Sequence, residues 1–118
     1  MSINKVILLG YTGKDPEVKD VAGTKVANLS LATTEKGYTL QNGIQVPDRT
    51  EWHSLIFWKG LAEVVEKYVR KGSQIYIEGK IKTRQYEDRT GSKRYVTEIF
   101  VDKLELLGSR LAQQEASL

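Results

Sequence analysis

Apolar residues alternate with polar ones along most of this chain of 118 residues, and a helical spacing interrupts the alternation once. In the stretch 25–33, for example, Ala27, Leu29 and Leu31 share one parity, which is typical of a strand with one buried face. Only from residue 61 do the apolar positions follow a helical repeat, at Leu61, Val64, Val65, Tyr68 and Val69. The pattern therefore predicts a largely β fold with one helix.

Five strands are predicted, and the helix falls between the third and the fourth. The predicted strands cover 5–10, 25–33, 51–58, 73–86 and 94–107, and the helix covers 61–71 with Gly72 as its stop. The Gly-containing, apolar-poor segment 34–50 is predicted as a long loop. This order is typical of an all-β, five-stranded OB barrel, whose exposed face and loops bind oligonucleotides or oligosaccharides. We expect one domain, 1–108, followed by a short polar tail without fixed structure, 109–118.

Composition excludes several functional classes. The chain contains no cysteine and one histidine, so we expect no disulfide and no metal site. No apolar run approaches the roughly 20 residues that cross a bilayer, and the N-terminus lacks a signal-peptide pattern, so a cytoplasmic protein is expected. The segment 8–15 does not match the phosphate-loop motif. Leu8 stands at the position of its first glycine, and Asp15 follows Lys14 where the motif has Ser or Thr. We predict no enzyme and no catalytic residue.

Positive charge is concentrated in one segment. The chain carries a net charge of +3, whereas residues 80–95 alone contain six Lys or Arg and two acidic residues, a net charge of +4. Such a cluster either neutralises phosphates or covers a solvated hairpin.

Two tryptophans share one face of the third strand. Trp52 and Trp58 are six residues apart, so period-two alternation directs both to the same side, opposite Leu55 and Phe57. Large aromatic residues of a strand commonly pack in the core, and the two tryptophans either do so here or, since Leu55 and Phe57 can fill the core, leave their side open to a ligand.

The fourth strand repeats this division. Three isoleucines, Ile75, Ile77 and Ile81, are predicted to form its buried face. Lys82, Arg84 and Tyr86 lie on the opposite face. Interleaved cations and aromatic rings suit sequence-independent binding of a single strand, because cations follow the phosphates and rings stack on bases.

Two further candidates are Tyr38 and Lys71. Tyr38 lies in the long loop and either closes over a bound strand or has no role. Lys71 lies at the helix end, where it either contacts a phosphate or only complements the helix dipole.

At these residues the chain resembles the bacterial single-stranded DNA-binding protein family, over about residues 3–108. The matching stretches are NKVILLG at 4–10, GKDPE at 13–17, VANLSLAT at 26–33, TEWH at 50–53, LAE at 61–63 and YVRKGSQIYIEG at 68–79. The resemblance implies a homotetramer that wraps single-stranded DNA in replication, recombination and repair, in the nucleoid and without a cofactor. It also implies stacking by Trp52, Trp58 and Tyr86, and basic positions at Lys5, Lys71, Lys82 and Arg84.

The chain departs from the family pattern at several points. The family often has Phe at the position of Trp58 and Trp at that of Tyr86, and its usual Gly-Lys order is reversed at Lys59-Gly60. The loop around Tyr38 also differs in length from the common pattern of the family. Many members also end in an acidic, hydrophobic tip that recruits replication and repair proteins. This sequence stops at residues 114–118 without one, so such partners are expected only if the native chain is longer.

Two alternative functions also agree with this sequence. An OB protein of the replication-restart or phage accessory type would act mainly as a protein-interaction module. An OB domain for RNA or oligosaccharides would also use stacking rings.

Overall fold

The computed structural model describes residues 1–107, which form eight strands and one helix. The elements are β1 (Val6–Thr12), β2 (Glu17–Val21), β3 (Thr24–Glu35), β4 (Tyr38–Thr39), β5 (Gln45–Val46), β6 (Arg49–Trp58), α1 (Gly60–Tyr68), β7 (Gln74–Glu87) and β8 (Lys93–Leu107). The predicted tail, 109–118, lies outside the described residues.

Five of these strands close into a barrel, in the order β1, β7, β8, β6, β3 and back to β1. The β1–β3 closure pairs Tyr11 with Ala32, and the β6–β8 contact is the parallel one, pairing Leu55 with Ile99. Helix α1 lies between the third and fourth strands of the barrel along the chain. The predicted OB barrel is therefore confirmed, with β2 added as a hairpin partner of β3.

The core follows the alternation of the strands. Leu55 and Phe57 of β6 are completely buried, as are Ile75 and Ile77 of β7. Helix α1 adds its apolar side to the same cluster through Ala62, Val65 and the following Val69. The strands thus direct one parity inward and leave the other on the outer surface.

Gly10 allows β1 to approach β3 at the closure. A Cβ atom at residue 10 would lie 3.0 Å from the carbonyl carbon of Ala32 and closer still to its oxygen. That obstacle is backbone and cannot rotate away, so this closure requires glycine.

The isoleucine prediction for β7 is wrong at one position. Ile75 and Ile77 are buried, but Ile81 is 47% exposed. The β7–β8 register shifts between Glu78 and Gly79, and both strands continue beyond the barrel as a long hairpin. Ile81 therefore lines an open groove at the barrel end instead of the closed core.

The loop prediction for 34–50 also differs from the structure, because this segment contains the small β4–β5 hairpin and the first residues of β6. Strand β2, between the first two predicted strands, was not predicted. Glu17–Val21 is extended because it pairs with β3. The segment is too polar for its sequence pattern to predict a strand.

Helix α1 ends at Tyr68, three residues before the predicted last residue, Lys71. Val69 is already extended, with φ −95° and ψ 133°, and its side chain is fully buried. The Arg70 guanidinium donates hydrogen bonds to the carbonyl oxygens of Glu66 and Val69, which satisfies the helix end. Burial of Val69 thus decides where the chain leaves the helix. Within residues 1–107, no helix is both long and apolar enough to span a membrane.

Candidate nucleic-acid interface

Both tryptophans lie on the outer surface of β6, as the alternation predicts. Trp52 is 60% exposed and Trp58 is 38% exposed, while Leu55 and Phe57 between them are fully buried. The two tryptophans are six positions apart in the strand, which corresponds to about 20 Å along β6. They therefore mark two places on one side of the barrel.

The Trp52 indole lies against the turn that follows β1. A Cβ atom at Gly13 would come within 2.7 Å of Cη2 of Trp52, so the ring covers the glycine directly. The same turn holds the helix end, because the backbone N–H of Lys71 donates to the Asp15 carboxylate at 2.8 Å. Trp52 and Lys71, which are distant in sequence, thus both contact the turn at residues 13–15.

At the other end of β6, Trp58 stacks on Phe100 of β8. Their ring centroids are 6.4 Å apart and their planes differ by 29°. The Lys82 ammonium lies 4.5 Å from the Phe100 centroid, in a cation–π arrangement. Sequence interpretation overlooked Phe100, although its parity is opposite to that of the buried Ile99 and Val101 and so places it outside.

Arg84 is held by a carboxylate on the neighbouring strand. Its Nε donates to Glu98 at 2.8 Å and its Nη2 at 3.4 Å, and Glu98 is only 7% exposed. The hydrogen bond to Glu98 raises the pKa of the Arg84 guanidinium above its ordinary value. The guanidinium carbon is 5.9 Å from the Tyr86 ring centroid. Glu98 therefore fixes a cation beside an aromatic ring.

Four of these side chains, Trp58, Phe100, Arg84 and Glu98, border one open groove of about 280 Å³. Its apolar lining includes Val26, Ile56, Trp58 and Phe100, and its charged lining includes Lys19 and Arg84. The structure thus joins Trp58 and Arg84 in one groove. Apolar ring faces next to fixed cations can bind planar bases and phosphates together. No cluster of His, Asp or Glu in residues 1–107 has an arrangement that could hold a metal ion.

Comparison with known proteins identifies the family of this barrel. The model of the single-strand binding protein family matches residues 3–107. The chain belongs to this family.

Two relatives in the family show how far the similarity extends. A single-stranded DNA-binding protein of Bacteroides thetaiotaomicron is 55% identical over 117 residues, covering 98% of this chain and 73% of that protein. The solved structure of the Plasmodium falciparum SSB complex with ssDNA is 30% identical, with a TM-score of 0.80, covering 92% of this chain and 97% of the other.

Of the eight residues suggested as contacts, only Trp58 and Arg84 line this groove, and Lys5 and Tyr38 lie on other parts of the structure. The Lys5 ammonium is 3.0 Å from the Glu78 carboxylate, beside β1 and β7. A hydrogen bond from Tyr76 and the pairing with Lys5 lower the pKa of Glu78 below its ordinary value. Tyr38 is exposed in the separate β4–β5 sheet. Their roles in binding stay predictions.

The reversed Lys59-Gly60 order that departs from the family pattern also has a structural consequence. Lys59 has φ +55°, in the left-handed region that favours glycine. The chain therefore holds a lysine in a strained conformation directly before helix α1.

Proposed function

We propose that this protein binds and protects single-stranded DNA without sequence preference, in replication, recombination and repair. The observation that carries the proposal is the pair of exposed indoles on β6, flanked by Lys and Arg on the outer face of the barrel. Every base has a π face, so stacking on rings accepts any sequence, and the cations bind the repeating phosphates. The names and the bound DNA of its relatives support the same function.

In this proposal Trp52, Trp58 and Tyr86 stack on bases. Lys71, Lys82 and Arg84 bind phosphates, and Lys5 and Tyr38 add contacts farther along the strand. The protein acts by binding and not by catalysis. One OB domain, 1–108, carries the function in the cytoplasm, at the nucleoid.

We further propose that the chain assembles as a homotetramer. Ile7, Leu9 and Tyr11 form an exposed apolar row on the outer face of β1. Within residues 1–107, the β1–β3 pairing is confined to Tyr11 and Thr12 and Gly10 lies against Ala32, so the 6–9 part of that edge is left for another strand. Open edges and apolar rows of this kind are commonly covered by another chain. Light scattering should give four times 13.4 kDa, and a monomeric mass would contradict this assembly.

The binding proposal is tested by titrating the intrinsic tryptophan fluorescence with oligo-dT at low and high salt. We expect deep quenching that weakens as salt rises, because bases stack on the indoles and counterions are released. Duplex DNA of equal length is the control and should quench little. Equal-length RNA and an oligosaccharide, added as competitors, should displace the DNA only weakly.

Single substitutions measure how much each of the two indole rings contributes to DNA binding. Trp52→Ala should weaken oligo-dT binding by about 1 to 3 kcal/mol, or roughly 5- to 150-fold, for any base composition. Trp58→Ala should have an effect of similar size. If no nucleic acid quenched the fluorescence and both variants bound like the wild type, the barrel would not use this face for DNA.

A further inference from the structure

We infer that Phe100 is a base-stacking residue that forms, with Trp58, one continuous two-ring platform. The inference rests on the proposed function and assigns a contact residue to it. It starts from the 6.4 Å distance between the two ring centroids and their interplanar angle of 29°. Rings at this separation and angle form an offset stack, whose combined surface is longer than one ring.

The position of Phe100 on the barrel supports a binding role. Its neighbours in β8, Ile99 and Val101, face the core and are nearly fully buried. Phe100 points to the opposite side, is partly exposed and lines the groove together with Trp58. A ring on the outer face adds nothing to the packed core, whereas a groove that binds bases gains a stacking surface.

Lys82 explains how this ring is kept from water in the free protein. Its ammonium lies 4.5 Å from the Phe100 centroid, and the long side chain can rotate about four bonds. A base that stacks on Phe100 displaces this ammonium, which then reaches the adjacent phosphate. One lysine thus covers the ring before binding and neutralises the strand afterwards.

Unlike Lys82, the neighbouring Arg84 is not displaced when a base binds, because Glu98 holds it. Arg84 is fixed by two hydrogen bonds to this buried carboxylate, at 2.8 and 3.4 Å. Next to the two rings, Arg84 is therefore held by a carboxylate, whereas the ammonium of Lys82 lies over the Phe100 ring.

Substitution of Phe100 by Leu and by Tyr tests the inference. Leu nearly conserves the volume, so the barrel should fold, whereas Tyr retains the ring. We expect Phe100→Leu to weaken oligo-dT binding by about fivefold or more and Phe100→Tyr to bind like the wild type. The matched control is Tyr68→Leu, which removes another partly buried ring, on helix α1, that has a lysine ammonium 5.2 Å from its centroid.

A second measurement distinguishes direct contact from mere support of Trp58. Ultraviolet irradiation of the oligo-dT complex, followed by peptide mass spectrometry, should cross-link thymidine to residue 100. Cross-linking at Trp58 without any at Phe100, or equal losses of affinity in Phe100→Leu and Tyr68→Leu, would overturn the inference. If the wild type itself failed to bind oligo-dT, the proposed function would fall instead, so the two failures are distinguishable.

Discussion

Replacing Gly13 by alanine should move the Trp52 indole and leave the barrel intact. The new Cβ atom would lie 2.7 Å from Cη2 of Trp52, whereas ordinary contact begins at 3.4 Å. The ring must therefore retreat by at least the difference, 0.7 Å. It can do so, because the obstacle is the far end of a side chain that is 60% exposed. The displaced indole no longer presents the same stacking face.

The expected magnitudes follow from this geometry. Gly13 has no left-handed φ, so alanine is compatible with its backbone, and the free energy of unfolding should change by less than about 1 kcal/mol. Affinity for oligo-dT should fall, at most by the roughly 5- to 150-fold expected when Trp52 is removed. Urea unfolding measures the first quantity, and fluorescence titration measures the second. The matched control is Gly60→Ala, whose Cβ would meet no atom within 4 Å.

A double-mutant cycle decides whether the indole mediates the effect. In a Trp52→Ala background, Gly13→Ala should cost no further affinity, because no ring is left to displace. If Gly13→Ala weakened binding by the same factor in both backgrounds, the loop backbone itself would be the contact. An unchanged affinity in the wild-type background would show that the position of the Trp52 ring is irrelevant to binding.

Two further predictions concern the cations beside the stacked rings and the residue before helix α1. Lys82→Gln should lower the slope of log affinity against log salt by about 0.7, the value for one phosphate on a single strand. Arg84→Gln should lower it less, because Glu98 already compensates the Arg84 charge; equal slopes in the two variants would contradict this difference. Lys59→Gly should raise the free energy of unfolding, measured in urea, by about 1 kcal/mol, because it relieves the positive φ. Lys59→Ala is the control and should bring no such gain.

Sequence interpretation succeeded where the decisive property is local. The alternation in 51–58 correctly placed both tryptophans outside and Leu55 and Phe57 inside. The same rule failed at Ile81, because the shift in the β7–β8 register and the extension of the hairpin beyond the barrel depend on two strands together. Strand β2 was missed for a similar reason, since its extended form comes from pairing with β3.

The sequence by itself determined the order of the five barrel strands and the helix, and the outward side of β6, because the periods of strands and helices are properties of the local backbone. Only the tertiary structure decided which outward residues meet. Phe100 reaches Trp58 because β6 and β8 are neighbours in the barrel, and Trp52 covers Gly13 because of the path of the chain after β1. Strand pairing creates such contacts between residues that are far apart in sequence, and no local period encodes them.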